Sequence, residues 1–217
     1  MRNGHFAILA ILILVASAIT ARADTMVSHF KIKGETVVAT FQASNPDDPC
    51  IQFFVTVVAS DLVEKTSPPK SKVTQPRALL VAGSVNICLG ITLFSSQGEA
   101  VLAPQILLIA HDLRSATLKA TVRVFETVSL QVFDFDIDLT WTATGPADRQ
   151  NTKETFRDRD LGIFIKTHLK GVTVPSEAVG TVVATVMGMQ VNFIPESSTD
   201  AEIHRAHDSS LIIEKTM

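Results

Sequence analysis

The chain has 217 residues, 46% of them hydrophobic, with 19 Lys and Arg against 22 Asp and Glu, two Cys, one Trp and no Tyr. A chain this long buries most of its surface without a metal to hold it together. The slight negative balance argues against nucleic acid or an anionic membrane as partner, because phosphate contacts need clustered Lys and Arg and the sequence shows no such run.

Residues 1–23 read as a secretory leader. Arg2 gives a basic start, Phe6 begins an apolar run to Thr20, and Ala21 and Ala23 place small residues where a signal peptidase cuts. The run, about 15 residues, is short for a membrane span, which needs about 20. The predicted mature chain, 24–217, has 217 − 23 = 194 residues. Losing Arg2 and Arg22 leaves 19 − 2 = 17 basic residues against 22 acidic ones, a net of −5. The expected location is secreted or periplasmic, with no membrane span in the mature part.

From residue 27 onward, apolar residues alternate with polar ones. Residues 27–33 and 35–42 read as strands joined by a tight turn at Lys33-Gly34-Glu35. Residues 45–49 hold two Pro and read as a loop, with Asn45, Asp47 and Asp48 as a weak cation candidate. Residues 51–60 alternate on both faces and read as a buried strand. Residues 66–76 read as a mobile Pro/Lys connection. The apolar stretch 78–94 divides into two strands near Gly90, and 95–99 reads as a turn.

Residues 105–110 form a short strand and 117–125 alternate again. The best-patterned stretch is 131–142. Phe133, Phe135, Ile137, Leu139 and Trp141 fall on one face, and Asp134, Asp136 and Asp138 on the other. It is expected in the middle of a sheet, with Lys119 and Arg123 of the preceding strand beside its carboxylates.

Residues 148–160 are the most polar stretch, with Asp148, Arg149, Lys153, Glu154, Arg157, Asp158, Arg159 and Asp160. They read as a surface loop. Residues 161–170 read as a strand, 172–175 as a turn and 177–189 as a strand pair. Residues 191–194, 201–206 and 211–215 read as short closing strands. The pattern predicts an all-β fold, an antiparallel β-sandwich or barrel-like domain of about 10–12 strands with few or no helices. A division into two packed sub-sheets, 24–95 and 105–217, is an alternative organisation of the same domain.

Two Cys in an exported chain predict a Cys50–Cys88 disulfide. Asp134, Asp136 and Asp138 form a candidate cation site of the kind that takes Ca²⁺, set against the plainer reading of a solvated face answered by Lys119 and Arg123. His204 and His207 have no second cluster to complete a zinc set. His168 reads as an exposed histidine. His111-Asp112 lacks a G-x-S-x-G partner, and no glycine-rich phosphate loop exists. One Trp, on the apolar face, and no Tyr disfavour glycan stacking and the aromatic girdles of a membrane barrel.

The expected function is a non-enzymatic exported domain that binds an unknown protein or cell-envelope ligand through the 148–160 and 66–76 loops, with no cofactor and no nucleic acid. A secreted hydrolase with a loop-assembled site, a calcium-stabilised structural domain and assembly through strand edges are the alternatives.

Overall fold

The computed structural model describes residues 26–68, 70–126, 131–158, 163–186 and 189–215. The expected leader, with its predicted cut after Ala23, lies outside the described residues. Twelve antiparallel strands run through the rest, with no helix among the described residues. They are β1 (Met26–Ser44), β2 (Ile51–Ser67), β3 (Ser71–Thr74), β4 (Arg77–Asn86), β5 (Ile91–Val101), β6 (Leu107–Ile109), β7 (Ser115–Glu126), β8 (Val132–Ala143), β9 (Asp148–Asp158), β10 (Ile163–Val186), β11 (Met189–Asn192) and β12 (Asp200–Lys215).

Eight of them close a ring in chain order, β1-β2-β4-β5-β7-β8-β10-β12, with β12 returning to β1. The fold is therefore an up-and-down barrel in a single sheet, and the two expected sub-sheets are joined. Strands of both halves pair at β5–β7 and again at β1–β12. Period-two alternation explains the closure, since each strand has one apolar face and a closed ring buries all of them at once.

Eight strands leave an interior just wide enough for side chains. It is filled by Trp141, Phe135, Ile137 and Leu139 of β8, Phe41 and Val37 of β1, and Leu80 of β4. The Trp141 indole reaches across the interior, and its Nε1–H donates to the Val38 carbonyl at 2.9 Å.

The strands of one side outrun the barrel. β10 pairs with β8 through residues 176–184 and with β9 through 163–173, so β8 and β9 form one line interrupted at Gly145-Pro146. Beyond the barrel, β3, β2, β1, β12, β10 and β9 continue as a six-stranded open sheet. A second, small apolar cluster of Ile32, Leu62 and Leu211 sits on one face of this extension.

Several expected turns are strand. Gly34 lies inside β1 at a bulge opposite β12, with φ +139° and its α-carbon pressed against the Asp61 carbonyl, where a Cβ would collide. Residues 95–99 lie inside β5 and 172–175 inside β10. Pro175 stands opposite the 144–147 interruption, and its carbonyl accepts from the Thr144 N–H at 2.9 Å. Its missing N–H points to the gap, where no partner strand is lost. The 66–76 connection shortens to a turn between β2 and β3, and the closing strands 201–206 and 211–215 merge into β12.

The stretch 148–160 is corrected most. It is not a loop, because Asp148–Asp158 is β9, paired along its length with β10; Arg159 and Asp160 lie outside the described residues.

Candidate functional site

The acidic strand β8 sits between β7 and β10, as its pattern predicts. On its outer face the register sets Asp134 opposite Arg123, Asp136 opposite Thr121 and Asp138 opposite Lys119. Arg123 Nε and Nη2 donate to the two Asp134 oxygens at 2.8 and 3.0 Å. Thr121 Oγ1 donates to Asp136 at 2.6 Å, and Lys119 Nζ lies 3.1 Å from Asp138. The hydrogen bond from Arg123 holds the Asp134 carboxyl below the usual carboxylate range. Every carboxylate of the candidate cation site thus has a cross-strand partner. Among the described residues no group of three or more His, Cys, Asp or Glu is arranged to hold a metal.

Beside this ladder lies a cavity of about 500 Å³, with Val101, Leu102 and Ile106 on one side and Lys119, Thr121, Asp136 and Asp138 on the other. It exists because β5 leaves β7 early. Among the described residues of β5, Ser96 and Gln97 pair with β7, and β6 takes over from Leu107.

The extension shows a different arrangement of charge. On β9, Arg149, Lys153 and Arg157 occupy one face, while Asp148, Glu154 and Asp158 occupy the other, beside a largely exposed Phe156. The strand has sorted its charges by sign. Register carries the basic face onward to Lys166 and Lys170 on β10, Lys31 and Lys33 on β1, Lys65 on β2 and Lys72 on β3, all exposed.

One row crosses all six strands: Lys72, Lys65, Lys31, Ser210, His168 and Lys153, each opposite the next. Like charges set directly opposite each other destabilise a sheet. Among the described residues, none of these cations lies in an ion pair. A cationic cluster therefore exists, although no run of the sequence shows one.

The location of this face follows from the barrel. The period that turns Val37 and Ala39 inward continues along β1 to Glu35, Lys33 and Lys31. The barrel ends where Arg205 pairs with Glu35 and donates to the His111 carbonyl at 2.7 Å, above the buried Leu113. Past that lid, positions that would face the interior face water.

The remaining expected sites have local roles. Cys50 and Cys88 form the predicted disulfide, with Cα atoms 5.3 Å apart, tying the 45–50 loop to the 87–90 turn. Asn45 and Asp48 accept from the backbone N–H groups of Asp47 and Cys50, capping their own turn. His168 bonds Asn151 at 2.9 Å.

His204 bonds Thr173 Oγ1 through Nδ1 and lies 2.9 Å from Glu202 through Nε2, so hydroxyl, imidazole and carboxylate meet with the two ring nitrogens exchanged relative to a serine-hydrolase triad. Thr173 is only 7% exposed, however, so the hydroxyl is shut off from a substrate. His207 lies apart on the bulged, exposed part of β12.

No protein-family model matches the chain, and no curated protein matches it. Among solved structures it is similar to a Nitrosomonas europaea protein provisionally assigned as AttH, at 12% identity over 91% of this chain and 54% of that one, with a TM-score of 0.24. The chain spans about half the length of that protein. So slight a likeness carries no argument about function.

Proposed function

We propose that the protein is an exported, non-enzymatic binding domain that meets an anionic partner through the cationic face of its sheet extension. The observation that carries this reading is the Lys72-Lys65-Lys31 row, three like charges placed side by side with no carboxylate partner. Folding gains nothing from that arrangement. A bound anion would gain from it, because clustered cations supply the affinity in phosphate and sulfate recognition. The surface is strand and not loop, so its side chains are held at fixed spacing, which favours a repeated ligand. The leader and the disulfide fit an oxidising compartment outside the cytoplasm.

The test is retention of residues 24–217 on a negatively charged resin at pH 7, where their net charge of 17 − 22 = −5 alone predicts flow-through. The protein should be retained, the double variant Lys31→Glu/Lys65→Glu should pass through, and Lys119→Glu on the barrel wall should behave as wild type. Flow-through of the wild type would refute the reading.

A further inference from the structure

We infer that the partner of the cationic face is an anionic lipid surface, the extension lying on it with its lysines against headgroup phosphates. This rests on the proposed reading of the extension as the recognition surface.

The first observation is the shape of the charge. The cations spread across six strands, about 24 Å at about 4.8 Å per strand, as well as along them. They form a field and not a line. A nucleic-acid strand or a linear polysaccharide presents its charges in a row and is met by a groove or a single file of side chains. A lipid leaflet presents phosphates in a plane.

The second observation is the kind of side chain. Seven of the nine cations are Lys and two are Arg. A lysine ammonium is a hydrated point charge that needs no fixed partner geometry, which suits mobile headgroups. Single-stranded nucleic acid is held instead by bases stacked on aromatic rings. The face has one such ring among its apolar residues, Phe164, and it is only partly exposed.

The third observation is the charge of everything else. The face holds those nine cations plus Arg205, against Glu35, Asp61 and Glu214, a balance of 10 − 3 = +7. The rest of the predicted mature chain holds 17 − 10 = 7 basic and 22 − 3 = 19 acidic residues, a balance of −12. A molecule so divided turns its basic face toward a negative surface and keeps its acidic side away from it.

The experiment is co-sedimentation of the purified protein with vesicles of phosphatidylcholine alone and of phosphatidylcholine mixed with phosphatidylglycerol, beside single-stranded DNA and heparin in solution. Binding is expected to the mixed vesicles and not to the neutral ones. It should weaken as salt rises from about 0.01 to 0.15 M, over which the screening length falls from about 30 to about 8 Å. Lys31→Ala, Lys65→Ala and Lys72→Ala should each lower vesicle partitioning about fivefold, near the value of one surface charge, and Lys119→Ala should leave it unchanged. Thermal melting of each variant checks its fold.

Vesicle binding that survives the combined variant Lys31→Ala/Lys65→Ala/Lys72→Ala would overturn the inference. Tight binding to DNA or heparin without binding to the mixed vesicles would overturn the lipid assignment and leave the extension standing as the recognition surface. Binding to none of the anions would overturn both.

Discussion

The β7–β8 ladder and the β1–β2–β3 ladder are both exposed rows of charge on one sheet, yet they are composed differently. On the barrel wall each Asp of β8 faces Arg123, Thr121 or Lys119. On the extension Lys65 faces a lysine on either side. The first row is complete within the fold, and its carboxylates are spent on the neighbouring strand. The second has no carboxylate opposite its lysines among the described residues, and the proposed partner would supply one. The contrast is between a charged row answered within the sheet and one that is not, and it rests on register more than on composition.

The two regions should also differ in how firmly they are held. The barrel encloses one continuous apolar core, whereas among the described residues the extension has the small cluster around Ile32, Leu62 and Leu211. Trp141→Ala empties the centre of the barrel and removes the indole bond to Val38, so it should cost about 3–5 kcal/mol and lower the melting temperature by about 10 °C or more. Leu62→Ala should cost about 2 kcal/mol. Hydrogen exchange would sharpen the comparison. After Leu62→Ala, amides of β3 and the outer half of β2 should exchange faster while those of β8 keep their protection. Equal acceleration in both regions would show that barrel and extension open as one unit.

A single kind of substitution should act with opposite sign on the two ladders. Lys65→Glu turns a row of three lysines into alternating charges and should stabilise by about 0.5 kcal/mol, after allowance for solvent screening. Lys119→Glu puts a second carboxylate against Asp138 and should destabilise by a similar amount, about 0.5 kcal/mol. Denaturant midpoints of the two variants and the wild type measure both. If Lys65→Glu also destabilises, the lysine row is a partner in the fold and the comparison fails.

Much of the barrel was legible in single residues, and the reason is the short range of the signal. Phe133 to Trp141 alternate within one strand, and that alternation placed β8, its dry face and its cross-strand partners Lys119 and Arg123. The disulfide was legible because a chain with two Cys has one possible pairing. Gly34 and Pro175 misled, because a glycine at a bulge and a proline at a gap between partners leave the same local mark as a turn.

β9 was read as a loop because its alternation lies in the sign of charge and not in apolar character. Arg149, Lys153 and Arg157 already stand at odd positions there. The lysine row could not be read at all. Its members come from positions 31, 65 and 72, and only the pairing of three strands sets them opposite one another.

Acid should weaken the Asp134–Arg123 rung of the barrel-wall ladder. The bond from Arg123 keeps the folded Asp134 carboxyl below its ordinary value of 3.8. A carboxyl with a lowered folded pKa contributes stability that is present above the unfolded value and is lost as pH falls through the folded one. Asp134→Asn should therefore be less stable than wild type at pH 7, by a small margin since the pair is open to water, and the two should converge well below pH 3.8.

Asp200 acts in the opposite sense. Burial and the neighbouring Glu202 raise its carboxyl, so its cost to the fold is relieved as pH falls. Total stability thus mixes the two carboxyls, and only the difference between wild type and Asp134→Asn isolates the ladder. A difference that stays constant down to pH 2 would mean that the Asp134–Arg123 pair adds nothing to the fold, and that the two charged rows differ in partners but not in strength.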